Sequence, residues 1–380
     1  MIKNIVILGS TGTIGINTLE VISNSKEHNI LAISANKNIK LLISQIEKFQ
    51  PKYVSLGIES EISALKRRFP ETIFYYNNIG LKKIATLKEA DLIISAIVGF
   101  AGFLPTYEAL KADKLVALAN KESLVAGGMF LKDYNHNIIP LDSEHSAIFQ
   151  LLNKRDNNEL KNIILTASGG PFWKKDKREF KDITIKDALN HPNWDMGDKI
   201  TIDSSTMMNK TLEIIEAHYL FNLDYKQIKV VIHPQSIIHS MITLKDNSIL
   251  AQLASPDMKI PISQALYYPK LDSFNYKSID FTKILNLDFY PIDYDKFPIL
   301  KFAKEVIENP YKGVILNSTN EVAVEMFLKK KIKWCDIYKI IDKVVNNYPL
   351  NQINSIIKLI EIDKDVKLFT QDVINDLFIT

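Results

Sequence analysis

Cysteine is nearly absent: the chain of 380 residues has one, Cys335. One thiol cannot close an internal disulfide, so nothing here resembles the stapled framework of a small secreted domain. Charge of one sign is also scarce. Forty-seven basic against 44 acidic residues leave a formal +3, too little to mark a nucleic-acid partner. Long apolar runs are missing too. The longest, residues 92–104, contains Ser95, Gly99 and Gly102 and falls short of the roughly 18 residues a spanning helix needs. The N-terminal apolar run ends in a glycine turn, the pattern of a buried strand rather than of a signal peptide. These absences predict a cytoplasmic protein with neither a nucleic-acid nor a membrane partner. The 46% hydrophobic and 24% charged fractions are those of a globular protein with material for two or three domains, not of a disordered chain.

Apolar runs at residues 5–8, 30–34, 53–56, 73–75, 92–97 and 115–119 alternate with helix-like segments at 13–23, 41–49, 61–69 and 105–112. Such alternation predicts a parallel sheet covered on both faces. From residue 138 to about 269 the texture changes to polar loops after short strands, and runs at 163–165, 230–232 and 237–244 suggest a second sheet. Beyond a linker containing Pro269, residues 300–308, 320–329, 335–346 and 350–360 have helical patterns. The expected organisation is α/β. A Rossmann-like domain spans 1–138, a central α+β catalytic domain 139–266, a linker 267–290 and a C-terminal helical domain 291–380.

Gly9, Gly12 and Gly15 lie between the first strand and the first helix. Their spacing is GxxGxxG rather than GxGxxG. In strand–turn–helix context the job is the same: glycines let backbone N–H groups approach a pyrophosphate at a positive helix end. A merely structural turn is the alternative. An NAD site usually carries an acidic residue after the second strand. Here that strand runs out in Asn36, Lys37 and Asn38. A lysine without a carboxylate favours the 2′-phosphate of NADP, unless Lys37 is only a solvated charge.

Asp142 and Glu144 follow the apolar pair Ile138 and Ile139. In an extended segment they point the same way and repel. A shared divalent cation relieves the repulsion, and oxygen ligands suit Mg²⁺ or Mn²⁺ better than Zn²⁺. A solvated loop is the alternative. Asp203, Ser204, Ser205 and Thr206 read as a helix start with hydroxyl caps. Asn209, Lys210 and Glu213 then fall within one helical turn. This collection suits a phosphate ester, with Glu213 available as a third carboxylate. An ordinary capped helix with a surface Lys210–Glu213 pair is the alternative. Ser168 lies in a glycine turn after a strand and can donate to a phosphate. Trp194, in a loop of turn residues, is either a lid over substrate or a plug in the core. Lys121 ends a strand of the first sheet, where ligands of open α/β sheets bind, or is a surface lysine. His233 and His239 read as hydrogen-bonded structural residues.

Ten motifs follow one another along the chain: GSTGTIG, LANKESLV, LDSEHSAIFQ, TASGGPF, HPNWDMG, KITIDSSTMMNKTLE, EAHYLF, VVIHPQSIIHSM, SPDMKIPI and LNSTNEVAVEMFL. Together they resemble the 1-deoxy-D-xylulose 5-phosphate reductoisomerases of isoprenoid precursor synthesis. The resemblance implies rearrangement of that sugar phosphate, by a retroaldol/aldol route in the favoured scheme. Reduction by NADPH to 2-C-methyl-D-erythritol 4-phosphate follows. It implies that Asp142, Glu144 and Glu213 hold Mg²⁺, Mn²⁺ or Co²⁺. Ser168, Ser204, Asn209 and Lys210 would anchor the phosphate. Lys121, Ser143 and His191 would contact the substrate, Lys121 and His191 with catalytic roles, and Trp194 and Met196 would sit on a flap. The implied cofactor contacts are Thr11, Gly12, Thr13, Ile14, Asn36, Lys37, Asn38, Asn120, Glu122, Met196 and Gly197. The family also implies a homodimer formed through the central domain.

Overall fold

The structure is a computed structural model that describes residues 2–23, 25–153, 155, 157–194, 196–271, 276–283, 286–349 and 352–378. The chain forms two compact units that interleave along the sequence. The first comprises Met1–Ser123, Asp133–Ser146 and Asp257–Tyr276, and the second Leu124–Lys132, Ala147–Pro256 and Lys277–Thr380.

The first unit opens with β1 Lys3–Leu8, α1 Thr13–Ser23, β2 His28–Ala35, α2 Ile39–Phe49 and β3 Tyr53–Leu56. Next come α3 Ile62–Arg68, β4 Ile73–Tyr76, α4 Asn77–Ala85, β5 Leu92–Ser95, α5 Phe103–Lys111 and β6 Leu115–Leu118. The chain continues through α6 Lys121–Leu131, β7 Ile138–Pro140 and α7 Ser143–Leu152. Seven strands pair in the order β4-β3-β2-β1-β5-β6-β7, every pair parallel. Ile5, Val6, Ile7 and Leu8 have no exposure, as strands covered on both faces require. The strand order reverses between β1 and β5, so the loops after these two strands form the crevice where open α/β sheets bind ligands.

The expected strands and helices of this region are present. The segment that follows β4, α4, was not foreseen. Residues 138–140 pair with β6, so the first sheet reaches slightly past the point where the sequence pattern changes.

The second unit is built on β8 Leu160–Ala167, α8 Ile185–Leu189, α9 Asp198–Thr206 and α10 Met208–Phe221. They are followed by β9 Ile228–Ile232, β10 Ile238–Leu244 and β11 Ile249–Leu253. Its sheet has the order β11-β10-β8-β9. β10 is antiparallel to β8 and β11, and β8 is parallel to β9. The next helix, α11 Lys259–Tyr267, belongs to the first unit. There Lys259 Nζ donates to Glu20 Oε1 at 2.5 Å, and Tyr267 Oη donates to Ser25 Oγ at 2.8 Å. The second unit closes with α12 Lys301–Glu308, α13 Lys312–Leu328, α14 Trp334–Asn347 and α15 Ile356–Phe378.

Two of these helices differ from the sequence pattern. α13 begins at Lys312 rather than 320, because Asn317, Ser318, Thr319 and Asn320 are buried helical residues despite their polarity. α15 begins at Ile356 and runs on to Phe378. Residues 350 and 351, the start of the expected helix, lie outside the described residues. Among the described residues, no helix is long and apolar enough to cross a membrane.

Candidate active site

In the first unit the turn after β1 is set by glycine. Gly9 has φ +91°, and a Cβ there would lie 2.8 Å from the Ala96 carbonyl oxygen, at the β1/β5 crevice. A Cβ at Gly15 would collide with the Gly9 carbonyl, whereas Gly12 has room. Thr11 and Gly12 stay in the turn, and Thr13 and Ile14 begin α1. The turn is tied to the end of β2. Gly9 N–H donates to Ser34 Oγ at 2.9 Å, and Ser10 Oγ donates to Gln45 Oε1 at 2.7 Å. Gln45 Nε2 donates back to the Ser10 carbonyl at 2.9 Å. Sequence reasoning passed over Gln45. Its signal was a polar residue set between Leu42 and Ile46 on the buried stripe of α2. Asn36, Lys37 and Asn38 are exposed beyond β2. Asn38 Oδ1 accepts from Leu41 N–H at 3.2 Å and so caps α2.

At the end of β6, Asn120 caps α6 by accepting from Ser123 N–H at 3.0 Å. Its amide donates to the carbonyls of Ile97 and Gly99 and to Glu122. Lys121 is buried, not a surface lysine, and ion-pairs with Asp142. Burial opposes charge on Asp142, but the Lys121 ammonium, with His145 nearby, holds its carboxyl well below the usual carboxylate range. The extended geometry expected for residues 142–144 is not found. Ser143 starts α7, and Ser146 N–H bonds the Asp142 carbonyl at 2.8 Å. Asp142 and Glu144 therefore sit at the positive end of a helix rather than on one side of a strand. Ser143 Oγ donates to Glu144 Oε2 at 2.5 Å.

In the second unit the Asp203–Thr206 segment is the last turn of α9, not a helix start. The reason is visible in its hydroxyls. Ser205 Oγ donates back to the Ile202 carbonyl at 2.7 Å, and Thr206 Oγ1 to the same carbonyl at 3.3 Å. Met207 takes a left-handed conformation at φ +65° and α10 begins at once, with Met208 N–H on Thr206 Oγ1 at 3.3 Å. Asn209, Lys210 and Glu213 share the first turns of α10, as expected. Asn209 Nδ2 donates to Glu213 Oε1 at 2.5 Å, and Lys210 pairs with the other Glu213 oxygen and with the Thr166 carbonyl. The pair is buried rather than superficial: Lys210 is 3% exposed and Glu213 0%.

The Ser168 hydroxyl is oriented by its neighbours. His191 Nδ1 accepts the backbone N–H groups of Asn193 at 3.2 Å and Trp194 at 3.0 Å, so the ring proton sits on Nε2. Nε2 then donates to Ser168 Oγ at 3.0 Å, and Gly170 N–H does so at 3.2 Å. With its lone pairs engaged, Ser168 is set to donate its own proton. Trp194 is half-buried, 6.1 Å from the His239 ring, and is neither fully exposed nor a core plug. Met196 and Gly197 precede α9, Gly197 at its N-cap. The structural reading of His233 holds. Its Nδ1 donates to the Asp288 carbonyl at 2.9 Å, and Nε2 accepts from Ile237 N–H.

Taken by unit, these groups offer a dinucleotide turn and two carboxylates beside a lysine in the first. The second offers a third carboxylate, an ammonium, an amide and hydroxyls suited to an anionic ester.

Known proteins match along nearly the whole length. Family models described as 1-deoxy-D-xylulose 5-phosphate reductoisomerase, its C-terminal domain, and the DXP reductoisomerase C-terminal domain match residues 5–128, 138–221 and 253–369. A 1-deoxy-D-xylulose 5-phosphate reductoisomerase of Halothermothrix orenii is 46% identical, with 96% of each chain covered. The enzyme of Chloroherpeton thalassium is 48% identical over 97% of this chain and 98% of its own. A crystal structure of DOX-P reductoisomerase in complex with NADPH, fosmidomycin and magnesium superposes with a TM-score of 0.92 at 36% identity, covering 98% of each chain. The Zymomonas mobilis enzyme in complex with NADPH gives a TM-score of 0.92 at 37% identity, over 99% of this chain and 100% of that one.

Proposed function

This chain belongs to the 1-deoxy-D-xylulose 5-phosphate reductoisomerase family, and from that premise we propose how its residues divide the work. It is an NADP-dependent oxidoreductase that isomerises and reduces 1-deoxy-D-xylulose 5-phosphate to 2-C-methyl-D-erythritol 4-phosphate, using NADPH and a divalent metal.

Both groups fit the residues present. The Gly9 turn leaves no room for a side chain against Ala96, and it opens a helix at the β1/β5 crevice, the form of a pyrophosphate cradle. Asp142, Glu144 and Glu213 are an all-oxygen donor set suited to a hard cation, and Lys121 keeps Asp142 ionised. When bound, NADPH supplies hydride and the cation supplies Lewis acidity toward substrate oxygens.

Asp142, Glu144 and Glu213 hold the cation. Thr11, Gly12, Thr13 and Ile14 receive the pyrophosphate, and Asn36, Lys37 and Asn38 the 2′-phosphate. Asn120, Glu122, Met196 and Gly197 flank the rest of the cofactor. Ser168, Ser204, Asn209 and Lys210 grip the substrate phosphate. Because that group does not react, its binding energy serves to place the reacting carbons. Ser143 and the Nε2–H of His191 orient substrate oxygens. Lys121 stands where a proton can pass to or from an oxygen of the substrate. Trp194 and Met196 exclude water.

One observation carries this assignment. Each unit buries a lysine–carboxylate pair, Lys121 with Asp142 and Lys210 with Glu213. Buried ion pairs rarely repay their desolvation in stability, and buried charges cluster where chemistry needs them. The chain also works as a cytoplasmic homodimer. Supporting that reading, β11 is the edge of its sheet and carries Ile249, which is 56% exposed. The activity is tested by following NADPH oxidation with the sugar phosphate, with and without a chelator. One NADPH should disappear per sugar phosphate, and only while a divalent ion is present; oxidation that ignores the substrate would overturn the reading.

A further inference from the structure

Ser204 stands in the last turn of α9, and both of its sequence neighbours are held by side chains from the C-terminal helices. Before it, Asp203 Oδ1 accepts from Asn320 Nδ2 of α13 at 2.8 Å, while Asp203 Oδ2 pairs with Lys199 Nζ at 2.8 Å. After it, Ser205 Oγ accepts from Trp334 Nε1 of α14 at 2.8 Å. Behind it, Gly170 at φ +64° packs so closely that a Cβ there would lie 2.6 Å from the Ser204 carbonyl oxygen. The Trp334 ring is itself fixed edge-on against Phe172, 5.4 Å away, and Phe180, 4.9 Å away.

The bonds are closed to water: Asp203 is 2% exposed, Asn320 0%, Ser205 0% and Trp334 6%. They are not an economical way to gain stability. Asn320 Oδ1 has no partner among the described residues, and a half-satisfied buried amide loses in desolvation what its one bond contributes. Such a bond serves to fix position. The two donors straddle a single residue and fix the backbone on either side of it. The hydroxyls of Ser205 and Thr206 are already turned back onto the helix, which leaves Ser204 as the serine of this turn able to meet a ligand.

We propose that Asn320 and Trp334 are positioning residues for the substrate phosphate, which clamp the end of α9 so that Ser204 is presented at a fixed place. The C-terminal helices thereby take part in substrate recognition without touching substrate. The proposal rests on Ser204 binding the phosphate, and the experiment separates the two.

Purified full-length Asn320→Ala, Trp334→Phe and Ser204→Ala are compared with the parent by steady-state kinetics. Trp334→Phe keeps an aromatic ring in the Phe172–Phe180 pocket and removes only the donor, so it remains informative if Asn320→Ala does not fold. Each clamp variant should raise the KM for the sugar phosphate about tenfold while kcat and the KM for NADPH stay within about twofold. A general structural lesion would lower kcat through the active fraction and leave KM alone. Combined with Ser204→Ala, neither clamp variant should raise KM further, because its effect acts through that serine. If Ser204→Ala raises KM and Trp334→Phe does not, the clamp proposal is wrong. If Ser204→Ala itself leaves KM unchanged, the phosphate assignment of Ser204 fails instead.

Discussion

Lys210 and Glu213 sit one helical turn apart on α10 as an ion pair sealed from solvent, 3% and 0% exposed. Asn209, which precedes Lys210, donates its amide to the other Glu213 oxygen. The cluster therefore joins a group suited to phosphate with one suited to a cation.

Replacing Lys210 by Met keeps an unbranched side chain one atom shorter and removes the charge. The phosphate loses its ammonium and Glu213 loses its buried counter-charge. Lys210→Met should lower kcat/KM for the sugar phosphate by about a hundredfold, with the KM for NADPH unchanged. It should also destabilise the fold by about 3–5 kcal/mol in denaturant titration, because a buried carboxylate is left with less compensation. A variant with parental KM would remove Lys210 from the phosphate site.

The glycine turn makes a paired prediction. At Gly9 an alanine meets both φ +91° and the Ala96 carbonyl; at Gly12 it meets only an ordinary van der Waals contact, 3.6 Å from the Gly9 carbonyl oxygen. Gly9→Ala should cost about 1–3 kcal/mol of stability and abolish NADPH binding measured by fluorescence titration. Gly12→Ala should fold normally and weaken NADPH only by crowding the phosphates. Equal stability of the two variants would contradict this reading of the turn.

Much of the first unit was legible because its strands are buried on both faces. Continuous apolar runs such as residues 53–56 then coincide with the observed strand β3 Tyr53–Leu56. The second unit hid more. Ser205 and Thr206 have the composition of a helix cap, and only their bonds to Ile202 show that they end a helix. Asn317–Asn320 look like a loop because their burial depends on distant partners, Asp203 and Asp363 among them. β11 was missed since its residues are half-buried, without a clean alternation of period two. In the site, residue types and spacing singled out these groups as candidates. They could not reveal that Lys121 and Lys210 are buried or that Glu144 lies on a helix.

Lys37 is exposed just beyond β2, and the chain carries no acid among Asn36, Lys37 and Asn38. NADPH should therefore be used far better than NADH. Lys37→Ala should narrow that preference about tenfold, the worth of one exposed charge on a phosphate, without altering turnover of the sugar phosphate. An unchanged ratio of kcat/KM for the two cofactors would show Lys37 to be a solvated charge.

Tyr219 supplies a pH prediction. Its ring packs where a Cβ on Gly128 would have to go, and burial pushes its phenol up to about 12. In the unfolded chain a tyrosine loses its proton near pH 10. The contribution is thus complete below about pH 10 and lost as pH rises from about 10 to about 12, by up to about 2–3 kcal/mol. Denaturant midpoints of Tyr219→Phe should fall less steeply than the parent's across that window. Parallel curves would mean that the phenol is not held neutral by burial.

The assignment of three carboxylates to one ion is tested most directly by titrating Mn²⁺ into the purified full-length chain and its Asp142→Asn, Glu144→Gln and Glu213→Gln variants, with calorimetric detection. The parent should bind one Mn²⁺ per chain, displaced by Mg²⁺. Each variant should lose at least about tenfold in affinity while still binding NADPH. A variant that binds Mn²⁺ as tightly as the parent would contradict the shared site.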